Sequence, residues 1–303
     1  MKKTLQRQGV LWALALLVSV CAMACGPGES SGKKRDQQPA TGEAAQTAKP
    51  GGIAKPSEAP KPGDVDTVDL GGGVKMELVW VPAGSFQMGT PDSVQGRAGD
   101  EGPVHRVELD GFWMGKYEVT NGQYRQFMKD SGYDGSGEAH SFYLMHFKRS
   151  VKESPPEDDY PVVWVSWRNA KAFCAWLSKK TGRSFGLPSV KQWEFACRAG
   201  STGDYCFGSG SGQLGEYAWY DKNSGGQTHP VGRKKPNAFG LHDVHGNVCE
   251  WCEDEEEGSR VFRGGSWLDT GLDCCVSLHA RHTPKGANFI IGFRIVCIGP
   301  LSR

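Results

Sequence analysis

Near the C-terminus, the stretch "RVFRGGSWLDTGLDCCVSLHARHTP" places a glycine pair and Ser266 ahead of two adjacent cysteines, Cys274 and Cys275. Thiolates are nucleophiles and ligands for soft metals, so these residues either carry out chemistry or cross-link the chain. Neighbouring residues on a strand point to opposite faces, so joint ligation of one ion by Cys274 and Cys275 requires a bulge or a strained turn. A second cluster, "DVHGNVCE", sets Asp243 and Glu250 seven residues apart around Gly246. Calcium mixes carboxylate with backbone carbonyl oxygens, and a short loop with an acid at each end and a glycine between can wrap it. Acid pairs in loops are more often simply solvated, so the spacing alone is a weak signal. "GNVCEWC" adds Cys249 and Cys252 around Trp251, open to a local cross-link or to pairing with Cys206 or Cys275. Zinc binding at this CxxC would call for a second such pair, which the sequence lacks. His229, His242, His245, His279 and His282 form no two-histidine-plus-carboxylate set at readable spacing. No P-loop, dinucleotide fingerprint or nucleophile elbow is present, so no nucleotide is expected.

These groups need a frame. A chain of 303 residues with 42 glycines and 10 tryptophans points to a loop-rich, aromatic-anchored globule. The net charge of +1, from 35 basic and 34 acidic residues, gives no bulk field for nucleic acid. Ten cysteines are many for a reducing compartment and ordinary for an exported protein. Lys2, Lys3 and Arg7 precede an apolar run over residues 10–23, the layout of a signal peptide occupying residues 1–24. Its ending, "AMACG", resembles a bacterial lipobox with Cys25 as the lipidated residue; Cys21 follows the bulkier Val20 and fits less well. Acyl chains on Cys25 would anchor the protein without a membrane-spanning helix. Gly26 in place of aspartate favours the outer membrane, which places the folded domain in the cell envelope, in the periplasm or outside. Residues 25–64 are rich in Pro, Ala, Gly and Lys and read as a flexible tether.

From residue 65 the pattern becomes that of one folded domain, α+β, reaching residue 299. "VKMELVWVPAGSFQMGT" reads as strand, tight turn and strand, and "HRVELDGFW" as a further strand. Three helices carry caps: Thr120 ahead of Tyr124, Phe127 and Met128; Ser166 ahead of an apolar face with Ala170, Phe173, Cys174 and Leu177; and Ser189 ahead of Trp193, Ala196 and Cys197. Gly182 ends the second. Beyond the third, glycine-rich loops and short strands run to "GFRIVCIG".

Six blocks in one order, "VWVPAGSFQMGT", "HRVELDGFWMGKYEVTNGQYRQF", "PVVWVSWRNAKAFCAWLSKKTG", "GLPSVKQWEFACRAG", "NAFGLHDVHGNVCEWC" and "VFRGGSW…GFRIV", together resemble the formylglycine-generating enzyme, or sulfatase-modifying-factor, family. The resemblance implies a single irregular domain related to C-type lectins. It implies calcium held by side chains at Asp243 and Glu250 and by the carbonyls of Gly246 and Val248. The family's second calcium loop would lie near "EYAWYDKNSGG", but Ala218 stands where an amide side chain is expected, so that site is not carried over. Active members oxidise a sulfatase cysteine to an aldehyde with oxygen and a Cu(I) ion between two thiolates. At the family's spacing those positions fall on Asp269 and Cys274, so the thiolate pair is broken, while Ser266 keeps the active-site serine position. Equivalents of Cys174 and Cys197 are cross-linked in the family, which implies pairs Cys174–Cys297 and Cys197–Cys274. The histidine-rich domain of the ergothioneine-type relatives is absent from this sequence. The expected function is a calcium-stabilised binding or scaffolding module for a peptide, glycan or envelope protein. The alternative is a copper-dependent oxidase converting a sulfatase cysteine to formylglycine, with Cys274, joined by Cys275, as metal ligands.

Overall fold

The computed structural model describes residues 59–90, 102–133 and 157–298; the signal peptide, Cys25 and the tether up to residue 58 lie outside the described residues. One unit, Pro60–Arg303, carries every described element. The chain already joins this unit before residue 65, since Gly63 N–H donates to the Trp80 carbonyl at 3.1 Å and Trp80 N–H to that of Asp64 at 2.9 Å.

The fold is α+β, with short helices packed on curled sheets. The strands are β1 (Val65–Gly71), β2 (Val74–Val81), β3 (Gly84–Met88), β4 (His105–Leu109), β5 (Phe112–Gly115), β6 (Ser184–Gly186), β7 (Cys249–Glu256), β8 (Ser259–Arg263), β9 (His279–His282), β10 (Ile291–Gly292) and β11 (Val296–Ile298). They form a five-stranded sheet in the order β1-β2-β5-β11-β6, a four-stranded sheet β10-β7-β8-β9 and the ribbon β3-β4. The strand–turn–strand pattern of β2 and β3 holds locally, yet the two strands do not pair with each other. Val81 faces Phe112 and Gly84 faces Leu109, so one long antiparallel ribbon bends at Pro82–Ala83 and at Asp110–Gly111 and passes from one sheet to the next. Gly111 is required at that corner: a Cβ there would come within 2.4 Å of the Trp80 ring.

Helices α1 (Asn121–Ser131), α2 (Trp167–Thr181) and α3 (Val190–Arg198) begin where their caps predict. Each cap is reciprocal. Thr120, Ser166 and Ser189 accept from the N3 backbone, and Gln123, Asn169 and Gln192 reach back to the cap N–H. A single helical turn, α4 (Leu214–Tyr217), follows in the glycine-rich half. The apolar stripes of α1 and α2 meet in an aromatic cluster in which Phe173 packs edge-on against Phe127 and Phe293, with centroids 5.5 Å apart in each pair. Beside it, α3 packs its Trp193, Ala196 and Cys197 face with Val244, Cys252 and Val261. The loop over residues 241–248 and the segment that follows β8 are thereby held between α3, β7 and the C-terminal strands.

Candidate functional site

The "DVHGNVCE" loop is folded inward rather than solvated. Asp243, His245, Asn247, Val248 and Glu250 are all buried, and Asp243 and Asn247 adopt left-handed backbone with φ of 58° and 62°. Gly246 is fixed by space, because a Cβ there would lie 2.2 Å from the Trp219 carbonyl oxygen. Asn247 ties the loop to its surroundings: its N–H donates to Trp219 O at 2.8 Å, and its amide donates to Glu118 Oε2 at 2.9 Å. Glu118 Oε1 accepts from Val248 N–H at 3.1 Å.

The two predicted carboxylates have different surroundings. Arg294, itself fully buried, grips Glu250 in a fork: Nε and one terminal nitrogen each donate at 2.6 Å, one to each carboxylate oxygen. Trp193 Nε1 adds a third donor at 2.7 Å. Both oxygens of Glu250 therefore serve an internal ion pair, which any calcium ligation by Glu250 would have to share. The remaining Arg294 donors hold the carbonyls of Gly115 and His242 at 3.0 and 2.9 Å, so one ion pair binds the loop to the strands. Asp243 is placed otherwise. Its Oδ2 accepts from Gly232 N–H at 2.7 Å, while its buried Oδ1 has no hydrogen-bond partner. Burial raises its pKa to about 6. Glu118 is pushed well above the usual carboxylate range, first by burial and then by Asp243 and Glu250. Three buried carboxylates thus share the single guanidinium of Arg294.

The glycine-pair segment lies next to this loop; Trp267 N–H donates to Asn247 O at 2.9 Å. Ser266 is buried, and its hydroxyl donates to Asp269 Oδ2 at 2.6 Å, so the serine serves the carboxylate. Burial raises Asp269 to about 6. Cys274 is fully buried, whereas Cys275 is half-buried with its Sγ 3.7 Å from Ser277 Oγ. The two adjacent cysteines occupy different surroundings, which argues against their acting as one pair.

All eight described cysteines are free thiols, so the cross-links Cys174–Cys297 and Cys197–Cys274 are absent among the described residues. The imidazole of His245 stands in the way of the second. Its Nδ1 bonds the Cys274 carbonyl at 2.9 Å, and its ring nitrogens lie 4.0 and 3.9 Å from Cys197 Sγ. Cys297 interacts with Arg183. His245, Glu118 and Arg294 were not singled out as site residues from sequence. Only long-range contacts disclose the partner of each.

A groove of about 580 Å³ opens between the β3–β4 ribbon and the loop over residues 200–209. Phe86 and Phe195 lie in its wall with ring centroids 5.4 Å apart. Arg106, Arg198, Asp204 and Ser277 supply its polar groups. Arg198 is held by Glu194, whose Oε1 accepts from the guanidinium at 3.0 and 2.8 Å.

Comparison with known proteins agrees with this architecture. Residues 72–298 match the sulfatase-modifying factor enzyme 1-like domain. The inactive C-alpha-formylglycine-generating enzyme 2 of Bos taurus is 31% identical over 279 residues, covering 75% of this chain and 90% of that protein. The formylglycine-generating enzyme of Mus musculus is 30% identical, with 72% of this chain and 74% of that protein covered. Among solved structures, PvdO from Pseudomonas aeruginosa superposes with a TM-score of 0.66 at 30% identity, over 79% of this chain and 99% of its own. With the domain match and the fold in agreement, the chain belongs to the formylglycine-generating enzyme (sulfatase-modifying factor) family.

Proposed function

We propose that this protein is a non-catalytic binding module of the bacterial cell envelope, held by a lipid on Cys25 and stabilised by calcium. Its ligand would be an extended peptide or glycan segment of an envelope partner, lodged in the groove beside Phe86 and Phe195. The observation that carries this reading is Asp269. A hard carboxylate, clamped by Ser266, stands where the resemblance places a soft thiolate in the active enzymes of the family. The similarity to an inactive enzyme of the family supports the same direction. The test is to incubate the reduced domain with Cu(I), oxygen and a sulfatase-motif peptide and follow the peptide thiol by mass. An unchanged thiol is expected; aldehyde formation abolished by Cys274→Ser would establish the oxidase alternative.

The unpartnered, buried Oδ1 of Asp243 and the excess of carboxylates over guanidinium support a divalent cation at this loop. Calcium would draw on Asp243 and the carbonyls of Gly246 and Val248, with Glu250 and Arg294 bracing the loop from behind. When bound, the ion supplies charge neutralisation. Among the described residues no three His, Cys, Asp or Glu side chains already form a metal cluster, so the backbone would have to contribute. Calcium should therefore raise the melting temperature of the wild type and leave Asp243→Ala unmoved. A full calcium shift in that variant would remove the site.

A further inference from the structure

The groove beside Phe86 and Phe195 is bordered by the edge of a strand. Ser85, Phe86 and Gln87 are consecutive in β3 and all three line it, which residues alternating across a single face of a ribbon could not do. β3 pairs with β4 alone, so its second edge is open. Just past the strand, Gly89 N–H points to α3 instead of β4 and donates to Glu194 Oε1 at 3.2 Å. Alternation of the backbone turns the N–H and carbonyl groups of Gln87 and Ser85 the same way. Among the described residues, neither has a backbone partner beyond the ribbon. Open edges are usually blunted by charge, by proline or by shortness. Of the described edge strands longer than three residues, β3 is the one without a charged residue. β1 carries Asp66 and Asp69, β4 carries Arg106 and Glu108, and β9 carries Arg281.

We infer that an extended acidic peptide adds to β3 as a third strand of the ribbon, an inference that rests on the groove being the binding site. Main-chain donors and acceptors at strand spacing call for a main chain opposite them, which selects a peptide over a glycan. The five residues of β3 span about 17 Å and pair with a peptide segment of similar length. Charge selects its side chains. Arg106 and Arg198 line the groove against a single carboxylate, Asp204, on the facing loop. Behind Arg198, Glu194 lies between two buried guanidiniums, with Oε1 accepting from Arg198 and Oε2 3.2 Å from Arg263. That trio keeps one positive charge in excess. Arg106, opposite Gln87 in the ribbon, is bonded to Glu108, but both side chains are largely exposed and free to exchange partners. Phe86 and Phe195 offer the apolar contact for a neighbouring side chain of the added strand.

The probe is a fluorescein-labelled peptide of seven residues, alternating valine and threonine around a central glutamate, titrated by anisotropy into the full chain. It should bind saturably, and its counterpart with lysine for glutamate should bind at least tenfold more weakly. N-methylation of alternate amides blocks pairing along one edge of the peptide, so one of the two methylated phases should lose binding and the other keep it. Gln87→Pro removes an outward N–H without touching the ladder to β4, and should weaken binding at least tenfold at an unchanged melting temperature. Hydrogen exchange at the Ser85 and Gln87 amides of the wild type, which depends on no variant folding, should slow at least tenfold at saturation. Absence of binding up to about 1 mM, equal binding of both methylated phases, or unchanged exchange at these amides would each overturn strand addition. Binding indifferent to both methylation and Gln87→Pro would do so while leaving the broader groove reading in place. A concentration-dependent dimer lost in Gln87→Pro would overturn it by giving the edge to a second copy of the chain.

Discussion

Replacing Glu250 by alanine should be among the most damaging single changes to this domain, lowering stability by about 3–5 kcal/mol. The change leaves Arg294 with no exposed surface and no counter-charge on the atoms that now form a fork with Glu250. It also removes the acceptor of the buried Trp193 indole. For a domain of this length that loss corresponds to a fall in melting temperature of roughly 6–20 °C. Arg294→Met should cost a similar amount for a different reason: the carbonyls of Gly115 and His242 lose their donors while Glu250 stays buried and unpaired. The double variant Glu250→Ala/Arg294→Met should be less destabilised than the sum of the singles, since each single strands the other charge. These effects should persist in excess chelator, which separates an internal brace from a calcium ligand. A Glu250→Ala protein that melts like wild type in chelator but loses its calcium shift would return Glu250 to the ion.

The helices were legible because their signals are local. A hydroxyl cap, an amide at N3 and an apolar stripe all fall within a few residues, and Thr120, Ser166 and Ser189 each begin a helix as expected. Sheet pairing was not legible in the same way. Alternation marks β2 and β3 as strands, but their membership of different sheets follows from a corner where Gly111 makes room for Trp80. The site shows the same division. "DVHGNVCE" announces carboxylates and a needed glycine, and both prove to be buried with the loop. What the spacing cannot disclose is that Arg294, 44 positions beyond Glu250, has taken that carboxylate. Nor can it disclose that Glu118 has come to the loop from more than a hundred positions away. Cysteine pairing fails for the same reason, because an imidazole from the loop occupies the gap between Cys197 and Cys274.

That imidazole supports the second large prediction, which concerns pH. His245 is fully buried, its Nδ1–H donating to the Cys274 carbonyl and its Nε2 accepting from Cys206 N–H at 3.0 Å. The second bond requires the neutral ring, and burial lowers its pKa from 6.5 to about 4. The unfolded chain therefore binds this proton below about pH 6.5 while the folded chain refuses it until about pH 4. Stability from the neutral histidine is complete above the upper value and is lost as pH falls through that window, by about 3 kcal/mol in full. Asp243 and Asp269 work the other way. Each is raised to about 6 by burial, so the folded state takes up their protons first and gains stability as pH falls below that value. The wild-type curve mixes the opposing contributions, and a difference measurement isolates the histidine. His245→Gln keeps a donor and an acceptor but loses the ring contacts to Tyr205 and Phe207, so it should be less stable than wild type at pH 7. Because glutamine does not titrate, the gap between the two proteins should narrow by about 3 kcal/mol between pH 7 and pH 4. Urea denaturation of both across that range measures it directly. A gap that stays constant with pH would mean that His245 is not held neutral, and that the Cys206 and Cys274 segments are fastened together by something other than this ring.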